Sequence, residues 1–238
     1  MVEKTFALQT LSARFANVRK RVDAAAKRCN RANADITLIA ISKTQPIEAL
    51  KAGLDLGITD YGENRVQEAE GKIFGLGRKA ARWHLVGHLQ TNKARRAVGL
   101  FDIIHSLDSA SLAQRLDRLC ISEGRAELPV LIQVDLGGEE TKNGIDQSEL
   151  PKLLATMREL ERVRLIGLMT LPPFFGNPDN ARPYFKTLRE LRDELKKQRH
   201  FGEDTGELSM GMSHDFEIAI EEGATMVRVG TAIFGERS

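Results

Sequence analysis

The chain has 238 residues, of which 42% are hydrophobic, 29% charged and 5% aromatic. That is the make-up of an ordinary folded domain, since a disordered chain lacks the apolar residues that offset ordering entropy. Lys and Arg number 35 against 33 Asp and Glu, a formal net charge of +2, which builds no long-range field for nucleic acid, and no apolar run nears the roughly 20 residues of a bilayer span.

Short basic clusters such as Arg19-Lys20-Arg21, Arg95-Arg96 and Lys196-Lys197 fall on helical faces and read as solvated surface. Cys29 and Cys120 are far apart, with no C-x-x-C, so neither a metal cluster nor a disulfide scaffold is indicated. The N-terminus has no apolar signal region, and the expectation is a cytoplasmic protein.

Leu8, Leu11, Phe15, Val18 and Val22 form the stripe of a long amphipathic helix. The compact run Ile36 to Ser42 follows and reads as a strand. Pro46 then suits the first turn of a helix carrying Ile47, Leu50 and Leu54. The alternation continues, with strands expected to begin near Ile36, Ile58, Trp83, Asp102, Val130, Arg164, Leu208 and Met226. Between them lie helical patterns at Val66 to Phe74, Asn92 to Val98, Leu112 to Leu119, Leu150 to Leu160, Tyr184 to Leu195 and Phe216 to Ile220. Parallel strands need such crossovers. About eight of them predict an α/β fold, a (β/α)8 TIM barrel with an extra N-terminal helix; an open doubly wound sheet explains the count less well. No Pro/Gly/Ser-rich linker divides the chain, so residues 1–238 are expected to form a single domain. The irregular stretch Pro172 to Pro178 would be a loop at the barrel mouth.

Lys43 ends the first strand on the face of Ile39 and Ile41. If those isoleucines fill the barrel, the lysine projects into the mouth, where a low-dielectric floor favours the free amine that attacks an aldehyde. A strand-end lysine reaching to water is the plain alternative. Two turns raise the first reading. Ser209 to Asp215 joins a strand to a helix through Gly211 and Ser213, and the last strand closes with Gly230 and Thr231. Loops after strands seven and eight commonly bind phosphate, through helix N–H groups and hydroxyls. Arg228 alternates with Val227 and Val229, which puts it inside the barrel, where a guanidinium needs an acceptor: a carboxylate, or a ligand's ring nitrogen or phosphate. Asn64 sits at a strand end, either at the mouth or capping a helix. His84 and His88 lie on a strand-like run and would not share a metal. Gly75-Leu76-Gly77 lacks the third glycine of a dinucleotide loop.

Taken in order, Ile39-Ala40-Ile41-Ser42-Lys43-Thr44, Tyr61-Gly62-Glu63-Asn64, Trp83-His84-Leu85-Val86-Gly87-His88, Leu168-Met169-Thr170, Leu208 to Asp215 and Val227 to Gly235 resemble the pyridoxal phosphate homeostasis proteins. These are stand-alone relatives of the N-terminal barrel of alanine racemase. The resemblance implies that Lys43 forms a Schiff base with pyridoxal 5'-phosphate. It also implies that Gly211, Met212, Ser213, Gly230 and Thr231 hold the phosphate, that Arg228 faces the pyridine nitrogen, and that Asn64 and His84 line the cofactor. It implies storage and delivery of the vitamin B6 cofactor to apo-enzymes, with no defined catalytic activity and no metal.

Physics agrees, because an arginine beside the pyridine nitrogen disfavours its protonation and weakens the ring as an electron sink. The sequence stops a few residues past the last strand, so no second domain is expected to supply an opposing acid/base. The alternatives are a weak amino-acid racemase using Tyr61, His84 or His214, and a Schiff-base aldolase acting on a sugar phosphate. A monomer is expected, and Lys142, in the loop Gly137 to Gly144, is a candidate aid to cofactor exchange.

Overall fold

The computed structural model describes residues 2–138 and 143–236, with side chains from residue 9 onward. Eight parallel strands close a barrel in chain order. They are β1 (Thr37–Ile41), β2 (Asp60–Glu63), β3 (Arg82–Leu85), β4 (Ile103–Leu107), β5 (Leu128–Gln133), β6 (Val163–Met169), β7 (Glu207–Ser209) and β8 (Met226–Val229). Each starts within two residues of the position expected from the apolar runs. The helices are α1 (Val2–Arg28), α2 (Ile47–Asp55), α3 (Val66–Leu76), α4 (Ala94–Leu100), α5 (Ala110–Ser122), α6 (Leu150–Met157), α7 (Arg182–Lys197), α8 (Phe216–Glu221) and α9 (Thr231–Phe234). Asn92 falls in a 3-10 turn ahead of α4, and α6 stops short of Leu160. The four-residue α9 is too short to leave a periodic pattern in the sequence.

Strand alternation divides the apolar residues into two layers. Ile39, Ile103, Leu131, Met169 and Met226 meet inside the barrel, with Ile41 and Ile166 packed on them. Their neighbours Ala40, Ile104, Ile132, Leu168, Val227 and Val229 face outward into the larger core beneath the helices. Burial of each large side chain contributes about 1.5–3 kcal/mol relative to exposure. Interior space decides Gly62: a Cβ there would lie 2.4 Å from Ile41 Cδ1 and 2.9 Å from Ile39 Cγ2. A side chain at position 62 would have to displace the Ile39 and Ile41 side chains, on the strand that leads to Lys43.

Helix α1 stands outside the alternation and packs on α8 and α9 through Leu11, Val18, Val22, Ala25 and Ala26. Arg21 fixes it in place. Its Nε and Nη2 donate to the two carboxylate oxygens of Glu217 at 3.1 and 2.7 Å, and the guanidinium lies 4.6 Å from the Phe216 ring centre. Arg14 adds a bond from Nη1 to the carbonyl of Phe234. The long helix thereby braces the elements that follow β7 and β8. Among the described residues no helix is long and apolar enough to cross a membrane, and no cluster of His, Cys, Asp and Glu could hold a metal. Residues 139–142, and with them Lys142, lie outside the described residues.

Candidate functional site

The backbone at Lys43 is held from below. Ser42 is fully buried, its N–H donates to the Gly62 carbonyl at 3.0 Å, and its hydroxyl donates to Glu63 Oε1 at 2.6 Å. The Ser42 carbonyl accepts from Gln45 N at 3.0 Å and from Lys72 Nζ at 2.6 Å. Lys72 reaches this point from α3 and also meets Glu63 Oε1 and Glu68 Oε1, each at 2.7 Å. Glu68 Oε1 in turn accepts the N–H of Thr44 at 2.5 Å. Thr44 has φ 64, a left-handed conformation that is costly for a β-branched residue. A clip of one ammonium and two carboxylates therefore sets the turn that presents Lys43. Burial raises the Glu63 carboxyl above the usual range, although Lys72 and Ser42 pull the other way.

Across β8 the two phosphate-type turns meet. The Ser213 hydroxyl oxygen accepts the N–H of Gly230 at 3.2 Å and of Ala232 at 3.3 Å, joining the loop after β7 to the start of α9. Thr231 is exposed beside it. Gly230 packs on the end of β1, where a Cβ would come within 3.3 Å of Ile41. The turn that carries Lys43 follows two residues after Ile41, so lysine, serine and threonine come to one edge of the mouth. Gly211 is required by its φ of +90 and by packing, because a Cβ would lie 2.6 Å from that of Ala219. The Met212 N–H is taken by Asp215 Oδ1 at 2.7 Å. Asp215 is also the N-cap residue of α8.

Beneath the turns lies Arg228, 3% exposed and inside the barrel, as its alternation with two valines predicts. Its Nη1 donates to Ser209 Oγ at 2.7 Å and its Nη2 to the Thr170 carbonyl at 2.9 Å. Burial brings its pKa down to about 10, with Asp215 opposing the fall. A guanidinium carries five N–H groups, and these two bonds use two.

Asn64 follows β2 and borders an open recess with Arg65, His88 and Lys93. It does not cap α3, whose N-cap position is Arg65. His84 stands on the neighbouring strand, β3. It is fully buried in the barrel interior, with Nε2 at 2.9 Å from Asp60 Oδ1 and Nδ1 at 2.9 Å from His105 Nε2. Both ring nitrogens are engaged. Tyr61 points outward, its hydroxyl donating to the Leu50 carbonyl at 2.8 Å. His214 sits at the rim, its Nε2 3.0 Å from the Phe175 carbonyl and its ring centre 5.2 Å from that of Phe174. The irregular stretch after β6 is thereby tied to the loop after β7, and Phe174 stands 80% exposed at the rim. Sequence reasoning did not single out Asp60, His105, Ser209 or Lys72.

Comparison with known proteins matches residues 14–238 to the model of the alanine racemase N-terminal domain. The pyridoxal phosphate homeostasis protein of Aquifex aeolicus is 46% identical, with 94% of this chain and 97% of that protein aligned. Its Escherichia coli counterpart is 42% identical, over 94% and 95% of the two chains. Among solved structures, PipY of Synechococcus elongatus, determined with PLP bound, superposes with a TM-score of 0.79 at 37% identity, covering 94% of this chain and all of PipY. The chain belongs to the alanine racemase N-terminal domain family and, within it, to the pyridoxal phosphate homeostasis proteins.

Proposed function

We propose that this protein binds pyridoxal 5'-phosphate on Lys43 as a Schiff base and serves to store and deliver the cofactor. The observation that carries the reading is the convergence of Lys43, the joined turns of Ser213, Gly230 and Thr231, and the buried Arg228 at one mouth. The donor set suits a phosphorylated aldehyde with a ring nitrogen: an amine, two hydroxyls with backbone N–H groups, and a guanidinium with donors beyond its two protein bonds. When bound, the aldehyde condenses with the lysine amine and releases one water. The Ser42–Glu63–Lys72 clip holds the lysine's backbone, while Arg228, always a donor, keeps a ring nitrogen in its unprotonated, acceptor form.

Storage rather than turnover is favoured by the fate of the mouth's acid/base candidates. Tyr61 is turned outward and His84 is enclosed, which leaves His214 on the rim. Mixing the protein with pyridoxal phosphate is expected to give a visible absorption band that borohydride fixes onto Lys43 and that Lys43→Ala lacks. No band in a correctly folded wild-type protein would remove the cofactor from the reading. Exchange of the alanine α-proton well above the rate with free cofactor would replace storage by catalysis.

A further inference from the structure

The interior of the barrel is not uniformly apolar. One line of polar groups crosses it from the foot of β2 to the upper half of β8. Asp60 Oδ1 meets His84 Nε2 at 2.9 Å, His84 Nδ1 meets His105 Nε2 at 2.9 Å, His105 Nδ1 meets Ser209 Oγ at 2.9 Å, and Ser209 Oγ meets Arg228 Nη1 at 2.7 Å. The contact between His105 on β4 and Ser209 on β7 spans the barrel between strands that are not neighbours. His84, His105 and Ser209 are fully buried, and Asp60 and Arg228 nearly so.

The chemistry of the two ends orients every bond between them. Arginine can only donate and a carboxylate can only accept. Arg228 therefore donates to Ser209, and the arrangement that leaves no donor in the line unused turns the Ser209 O–H to His105 Nδ1. His105 must carry its proton on Nε2 and give it to His84 Nδ1, and His84 must carry its proton on Nε2 and give it to Asp60. One arrangement satisfies all five groups, and it requires both histidines to be neutral. Their surroundings agree. His84 is faced by Asp60, Arg82 and Asp102, and burial outweighs the carboxylates and lowers its pKa. His105 is faced by His84, Arg228 and Arg82, and burial, the neighbouring ring and the two guanidiniums lower its pKa well below the usual value. At the foot, Arg82 Nε and the Thr59 hydroxyl also donate to Asp60, at 2.5 and 2.8 Å.

We propose that Asp60, His84, His105 and Ser209 are positioning residues for Arg228, a single directed column that aims the guanidinium and so tunes the affinity and absorption of pyridoxal phosphate held above it. The proposal rests on the cofactor reading given above. It makes a carboxylate at the opposite end of the barrel, in contact with no mouth group, part of the binding apparatus.

The test uses the full chain as wild type, Asp60→Asn, Ser209→Ala and the double variant. Nitrogen-15 shifts of the histidine rings are recorded without cofactor, and affinity and spectrum with pyridoxal phosphate. In wild type both histidines are expected to be neutral and Nε2-protonated at the ordinary histidine pKa of about 6.5 and above. Asp60→Asn is expected to move the His105 ring signals, to shift the bound cofactor's band, and to weaken binding by about two- to thirty-fold. The double variant is expected to bind no more weakly than Ser209→Ala alone, because a column already cut at Ser209 no longer transmits what happens at Asp60.

Unmoved His105 signals in Asp60→Asn, or losses that simply add in the double variant, would overturn the column. Thermal melting of each variant separates such losses from partial unfolding. If wild type shows no cofactor band, the cofactor reading fails and the column's role toward a ring fails with it. A band in wild type that Asp60→Asn leaves unchanged overturns the column alone.

Discussion

Two buried cations mark the two halves of the site, and they are kept in opposite ways. Lys72, outside the barrel beneath the end of β1, is matched by two carboxylates and a carbonyl: Glu63, Glu68 and Ser42. Arg228, inside the barrel, meets a hydroxyl and a carbonyl, with Asp215 acting on it only through space. Removing a charge from water is costly unless partners compensate. The lysine is compensated, and its work is to hold the turn bearing Lys43. The arginine is compensated only in part, through neutral groups and a column whose carboxylate lies four contacts away. A cation kept at that cost has capacity left for a ligand.

The contrast can be broken by the same substitution at each cation. Lys72→Met leaves Glu63 buried against an apolar side chain and is expected to cost about 3–5 kcal/mol of stability, read by chemical denaturation. Arg228→Met removes a poorly matched charge, and its stability is expected to stay within about 1 kcal/mol of wild type. Its loss would appear instead as weaker cofactor binding in a titration. Equal destabilisation by both would erase the distinction.

Acid sharpens it further. Burial alone would raise the Asp60 carboxyl, but hydrogen bonds from His84 and Arg82 hold it at about 2, against an ordinary 3.8. A folded pKa below the unfolded one contributes stability above pH 3.8 that is lost as the pH falls toward 2, about 2 kcal/mol in all. His84 and His105 are lowered from 6.5, so their contribution likewise weakens once the pH drops below that value. Denaturation series at stepped pH are expected to show both declines in wild type, and Asp60→Asn is expected to lack the lower one. A flat profile below pH 6.5 would contradict neutral histidines. The smallest effect concerns the clip: Thr44→Gly, which relieves φ 64, is expected to raise stability by about 1 kcal/mol, or about 2–4 °C in melting temperature.

The barrel was legible because most of its strands are short apolar runs whose alternate residues serve two cores. Ile39 and Ile41 facing inward, with Val227 and Val229 outward, followed from counting in twos. The same counting carried an unread signal. In Ile103-Ile104-His105, the histidine shares the inward face of Ile103, a polar group at a position that should be filled by an apolar one. Its meaning was hidden because the partners come from strands β2, β3, β7 and β8, and no local spacing joins Asp60 to Ser209. Lys72 was legible in a similar way: it falls three residues after Ala69 and just before Ile73, on the buried face of α3. His84 stands in mid-strand on β3, where its burial follows from the strand itself.

The bond between Arg21 and Glu217 joins residues 196 positions apart in the chain. A ribosome adding 5–20 residues per second needs roughly 10–40 s to cover that interval. Throughout that time α1 exists without the surface it packs on, and β1 without β8, its neighbour in the closed barrel. The apolar stripe from Leu11 to Ala26 emerges ahead of the barrel and is among the last parts of it to be covered. Closure of the barrel by the final strand and brace is the event that buries it.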